Sequence, residues 1–148
     1  MKKWIIPFIL FISLVTAQHA LAEIKIKHGW IRATPPSAKM SAAYMMIENT
    51  GDQADRLIAA SSPICEVTEI HTVIKENGMM KMRPVEFIEI PAKGMVKLKM
   101  GGYHVMFIRL KQQPKPNQEF PVQLQFEKAG KLDLVLPVKK SKKKMMKH

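Results

Sequence analysis

Two segments of the chain each combine one imidazole with one thioether. His71 and Met82 lie on either side of the turn signal Asn77-Gly78, and His104 and Met106 are two residues apart. Because side chains on a strand alternate with a period of two, His104 and Met106 project from one face if their segment is a strand. Each segment therefore offers the same pair of soft donor atoms to a metal ion.

The hairpin around Asn77-Gly78 leaves two registers open. A four-residue loop puts His71 directly opposite Met82. A two-residue turn at Asn77-Gly78 instead puts Val73 opposite Met82 and leaves His71 one diagonal step away. In both registers His71 and Met82 share a face, because a register of either kind preserves the alternation.

Two imidazoles and two thioethers favour one metal over the others. Thioether sulfur is a soft, neutral ligand that selects Cu(I). Zinc sites use Cys, His and carboxylates, and calcium and magnesium prefer oxygen. A site of neutral ligands with no thiolate or carboxylate also favours the reduced ion. Methionine on a strand is otherwise a core residue, and this is the interpretation for Met45, Met46, Met95 and Met100.

The first 22 residues have the pattern of a cleavable export signal. Lys2 and Lys3 precede an apolar run over 5–17, and Ala20-Leu21-Ala22 is a small-x-small cleavage site. Glu23 rather than Cys follows that site, which disfavours lipid attachment. We expect a periplasmic protein of residues 23–148. Export also argues against nucleic acid as a partner, despite the formal net charge of +12.

The single cysteine limits the chemistry further. Cys65 cannot form an internal disulfide or a Cys-based cluster, and we interpret it as a buried, unreactive thiol. A blue-copper centre requires a Cys thiolate with two His. Cys65 precedes His71 by six residues, about 20 Å of unbroken strand, so an electron-transfer site is disfavoured.

Short alternating segments separated by turn signals predict an all-β fold. Their spacing of roughly 8–12 residues is typical of a β-sandwich or Greek-key barrel. We expect one domain over 23–138 and a disordered Lys-, Met- and His-rich tail over 139–148. Ala129-Gly130 is a second hairpin turn. Shared parity predicts that one face of the first strand carries Ile24, Ile26, His28 and Trp30.

The spacing His71–x10–Met82–x21–His104–x–Met106 resembles the motif of the PCu(A)C family of periplasmic copper chaperones. The likeness covers roughly residues 26–138. Four sequence segments also resemble the family, namely WIRATPP (30–36), AAY (42–44), MKMRPV (80–85) and GGYHVM (101–106).

The resemblance implies a cupredoxin-like barrel that binds one Cu(I) through His71, Met82, His104 and Met106. It implies a role in supplying copper to the binuclear copper centre of cytochrome c oxidase subunit II, beside a thioredoxin-like chaperone. We expect a monomeric metallochaperone and not an enzyme. Copper sequestration is the alternative. Many family members have Met where this chain has Val73. The tail resembles Met- and His-rich extensions, and two interpretations stay open: a weak second copper site at Met145, Met146 and His148, or a solubilising Lys-rich tail whose charges oppose cation capture.

Overall fold

A computed structural model describes residues 23–142, and all regular structure in that range is β-strand. The all-β prediction is confirmed, and no helix within these residues is long and apolar enough to cross a membrane. The ten strands are β1 (Ile24–Arg32), β2 (Met40–Asn49), β3 (Asp55–Ser61), β4 (Cys65–Glu76), β5 (Met79–Pro84), β6 (Ile88–Ile90), β7 (Gly94–Leu98), β8 (His104–Leu110), β9 (Glu119–Phe126) and β10 (Gly130–Lys139).

The strands follow one continuous path of pairing. Its order is β5-β4-β8-β2-β1-β10-β9-β3-β6, and β7 pairs with β2 beside that path. Among the strands that the structure describes, β1 and β10 form the only parallel pair. This pair brings the first and the last of these strands side by side. The result is the predicted sandwich or barrel, and its strands enclose one core that includes Ile31, Phe107, Leu124 and Phe126.

The hairpin of β9 and β10 confirms the strict alternation seen in the sequence. Gly130 pairs with Phe126 at the predicted turn, and its φ of 78° is the left-handed conformation that glycine adopts without strain. Val122, Leu124 and Phe126 face the core.

The hairpin of β4 and β5 has the two-residue turn. Val73 pairs with Met82 and Glu76 with Met79. Asn77 and Gly78 both have positive φ, 51° and 77°, as a tight hairpin turn matched to the strand twist requires. This register places Met82 one diagonal step from His71.

The prediction that Ile24, Ile26, His28 and Trp30 share one face of β1 is wrong beyond Lys27. The pairing with β2 shifts between Lys27 and Trp30, and His28 has a φ of 54°. This bulge inserts a residue, so Trp30 moves to the opposite face from Ile26. Ile26 packs on the core, whereas Trp30 pairs with Tyr44 on the outer face.

The assignment of four methionines to the core is correct for one of them. Met45 is buried and belongs to the core cluster, and Met46 is partly buried. Met95 and Met100 are about half exposed. Met95 pairs with Glu48 on the outward face of β7, whereas Val96 and Leu98 of the same strand pack on the core, and Met100 lies in the turn after β7.

Strand β10 extends to Lys139, which pairs with Arg32, so the domain runs one residue into the predicted tail. The predicted signal peptide over 1–22 lies outside the described residues. So does most of the tail, with the candidate second copper site at Met145, Met146 and His148. Both remain predictions.

Candidate metal centre

The pairing of β4 with β8 puts His71 directly opposite His104. The two imidazole rings have centroids 5.7 Å apart and are tilted by 52°. Thirty-three residues separate them along the chain, so this contact belongs to the tertiary structure. It joins the two local His–Met pairs of the sequence into one site.

A hydrogen bond orients the His71 ring. Its Nε2 lies 2.7 Å from Oε2 of Glu69, two residues earlier on the same face of β4. Since a carboxylate accepts, Nε2–H is the donor, and Nδ1 is left with its lone pair. His71 Nδ1 is buried and has no hydrogen-bond partner among residues 23–142.

His104 is oriented in the opposite tautomer. Its Nδ1 lies 2.9 Å from the carbonyl oxygen of Gly102, and a carbonyl can only accept, so Nδ1–H donates. Its Nε2 is buried with no partner within the described part of the chain. Each histidine therefore presents one free lone pair, and a buried unpaired nitrogen is costly unless a ligand satisfies it.

The two thioethers lie on the same face but differ in exposure. Met106 shares the face of His104, pairs with Glu69 of β4 and Ala42 of β2, and is 6% exposed. Met82 projects from the same face of neighbouring β5 and is 54% exposed. All four predicted site residues thus lie on one face of three adjacent strands.

Aromatic side chains continue this face beyond His104. The Tyr44 ring centroid is 6.3 Å from that of His104, and Trp30 lies 4.9 Å beyond Tyr44. Burial lowers the pKa of His104 and the nearby His71 and Arg32 lower it further, while the hydrogen bond to Gly102 opposes them. The ring is therefore neutral, and able to donate its lone pair, at neutral pH.

Glu69 is the feature that sequence reasoning missed. Its carboxylate contacts His71, so a negative charge lies beside the predicted neutral ligand set. The sequence does indicate this contact, because Glu69 and His71 are two residues apart on a predicted strand and therefore project from the same face. Within residues 23–142 no group of three or more His, Cys, Asp or Glu side chains is arranged to hold a metal.

Cys65 lies apart from this site. It is the first residue of β4, is buried in the core cluster, and its Sγ is 3.2 Å from Oγ1 of Thr68. The position agrees with the interpretation of Cys65 as a structural thiol.

The fold and the site together define an all-β domain whose face carries two free imidazole nitrogens flanked by thioethers. The chain belongs to the LpqE-like family, described as "Putative lipoprotein LpqE-like", whose sequence model matches residues 24–138. It is 26% identical over 117 residues to "Putative lipoprotein Lxx21020" of Leifsonia xyli subsp. xyli, covering 78% of this chain and 69% of that protein.

Solved structures of PCuAC copper-binding domains share the fold. The copper-bound PCuAC domain of PmoF2 superposes with a TM-score of 0.70 at 26% identity, covering 82% of this chain and 97% of that one. The Cu(I) form of DR1885 from Deinococcus radiodurans gives 0.67 at 30% identity, covering 86% and 85%. The resemblance to the PCu(A)C family is confirmed, and the chain is homologous to copper-binding domains.

Proposed function

We propose that this protein is a copper chaperone that binds one Cu(I) through His71, Met82, His104 and Met106. The observation that carries the proposal is the pair of facing imidazoles, each with its other nitrogen already hydrogen-bonded. His71 Nδ1 and His104 Nε2 are the nitrogens left free. The homology to copper-bound PCuAC domains supports copper as the ion.

The donor set supports Cu(I) rather than Cu(II). Thioethers are soft ligands that need no deprotonation, and imidazole completes a neutral set. The carboxylate of Glu69 is engaged by His71, where it balances the single charge of Cu(I) without supplying a hard ligand. Thiolates are absent from the set, so disulfide formation in an oxidising compartment leaves the site intact.

The role we propose is delivery in the periplasm to the binuclear copper centre of cytochrome c oxidase subunit II, with a thioredoxin-like chaperone as a further partner. Export is supported by the signal-like residues 1–22 and by relatives named as lipoproteins. Exposed Met82 at one side of the site suits handover, because an acceptor can reach that ligand first. A non-enzymatic role follows from a site whose ligands bind and release one ion.

Copper sequestration would use the same ligands. It differs from a chaperone function in that the protein would not release its copper to a partner. Loaded protein mixed with the apo copper domain of subunit II should lose its copper if it is a chaperone. Retention of the metal at equilibrium would favour sequestration.

The binding site itself is tested by titration with Cu(I) under reducing, anaerobic conditions. The wild-type chain should bind one equivalent, and the His71→Ala/Met82→Ala double variant should not. Met79→Ala, on the opposite face of β5, is the matched control. Stoichiometric binding that survives the double substitution rejects this ligand set. Copper K-edge absorption of the loaded protein should report sulfur and nitrogen ligands and the reduced ion.

A further inference from the structure

The hairpin of β4 and β5 has two faces of different chemistry. Met82 pairs with Val73, Met80 with Lys75, and Pro84 with His71. Paired residues project from the same side of a sheet, and residues two apart on a strand share that side. We call this side the soft face; it carries His71, Val73 and Lys75 of β4 and Met80, Met82 and Pro84 of β5.

The opposite face of the hairpin holds most of its charge. Oε2 of Glu76 is 3.2 Å from Nζ of Lys81 and 3.0 Å from Nη2 of Arg83. Met79 pairs with Glu76 and shares this face. Lys81 and Arg83, the two cations next to Met82 in the sequence, therefore project away from the soft face and share one carboxylate.

Exposure along the soft face rises outward from the proposed copper site. His104 is 2% exposed, Met82 54% and Met80 64%. Strand β5 stands at the edge of the sheet, with no strand beyond it among residues 23–142. An ion or acceptor that approaches along the soft face from the turn end of the hairpin meets Met80 first, then Met82, and then the histidines.

We propose that Met80 is a transit ligand for Cu(I), which holds the ion briefly as it enters or leaves the site. This inference rests on the proposed function. Met80 and Met82 are about 7 Å apart along the strand, a distance that two flexible thioether side chains can bridge with one ion between them. The bond from Cu(I) to Met80 sulfur forms as a bond to an inner ligand breaks. No proton or electron is transferred, and the ion passes on to a soft donor atom of the acceptor.

Lys75 explains why Met80 would be a transit ligand and not a resting site. It lies directly opposite Met80 on the soft face, and its ammonium group repels a second cation in that position. The ion is therefore held weakly at Met80 and strongly further in, where the charge of Glu69 is favourable.

Methionine methyl resonances test the proposal directly on the wild-type chain. With methyl-¹³C methionine and Cu(I) added under anaerobic conditions, the Met82 and Met106 signals should saturate at one equivalent. The Met80 signal should keep moving in fast exchange as a second equivalent is added, and the Met79 signal should stay in place. A Met80 signal as still as that of Met79 contradicts the proposal.

Transfer kinetics give a second readout. Met80→Leu preserves volume and removes the thioether, and Met79→Leu is the matched control on the same strand with similar exposure. Stopped-flow transfer of Cu(I) from the loaded chain to bathocuproine disulfonate should be several-fold slower in Met80→Leu and unchanged in Met79→Leu. Equilibrium affinity and one-to-one stoichiometry should stay at wild-type values in both.

The outcomes separate this inference from the proposed function. Wild-type transfer in Met80→Leu, or equal slowing in both variants, overturns the transit role while leaving copper binding in place. Failure of the wild-type chain to bind one equivalent overturns the proposed function, and the transit role falls with it.

Discussion

His71 and His104 face each other across β4 and β8 in complementary tautomers. One donates through Nε2 to Glu69 and the other through Nδ1 to Gly102, so the nitrogens without a hydrogen-bond partner within residues 23–142 are Nδ1 of His71 and Nε2 of His104. A ring fixed by its second nitrogen is what metal-binding histidines require. The two histidines are thus oriented for an ion before the ion arrives.

Glu69→Gln should weaken Cu(I) binding by about tenfold, in the range found when the carboxylate partner of a ligating histidine is removed. The amide still accepts a hydrogen bond but supplies no charge to His71 or the ion. Competition with a chromophoric Cu(I) chelator measures the change. Glu66→Gln is the control, because Glu66 lies on the same strand and pairs with Arg109, at 2.6 Å. Equal weakening in both variants would point to the net charge of the strand instead.

The copper-free protein should lose stability as the pH falls below 6.5, the ordinary pKa of histidine. Burial lowers the pKa of His104 in the folded state, so below 6.5 the unfolded chain binds a proton that the folded chain does not. Above that pH both forms are neutral and His104 adds no slope. Denaturant unfolding at a series of pH values measures the effect, and His104→Gln should flatten the acid limb. An unchanged slope in His104→Gln would assign the acid sensitivity elsewhere.

Cys65→Ala should leave Cu(I) stoichiometry and affinity unchanged. The thiol lies in the core, in contact with Thr68 and remote from the facing imidazoles. The same variant should show no difference from wild type when Cu(II) is added. An intense blue colour in the wild-type chain that disappears in Cys65→Ala would instead establish a thiolate–copper centre.

Phe107→Ala should destabilise the fold by about 3–5 kcal/mol, as expected for truncating a fully buried aromatic side chain. Phe107 follows Met106 on β8 and is completely buried on the core side of the strand. Copper binding should weaken at temperatures where the variant begins to unfold. Val135→Ala, at an exposed position, should change the stability by no more than about 0.5 kcal/mol. Thermal unfolding followed by circular dichroism measures both.

Local patterns predicted the elements well where alternation was unbroken. The β9–β10 hairpin and the Asn77-Gly78 turn occur where the sequence places them. The face of β1 was mispredicted because a bulge at His28 shifts the parity, and periodicity contains no signal for an inserted residue. The burial of Met95 and Met100 was mispredicted because hydrophobicity alone does not reveal which face of a strand is turned outward or which residues lie in a turn.

For the site, the sequence by itself determined the two local His–Met pairs, their shared faces and the soft chemistry of their donors. These follow from spacing, strand alternation and ligand type alone. Only the tertiary structure decided that β4 and β8 are neighbours, because strand pairing across thirty residues depends on how the whole sheet packs. That pairing set the histidines opposite each other, on the side of β4 away from β5, which carries Met82 at the edge of the sheet.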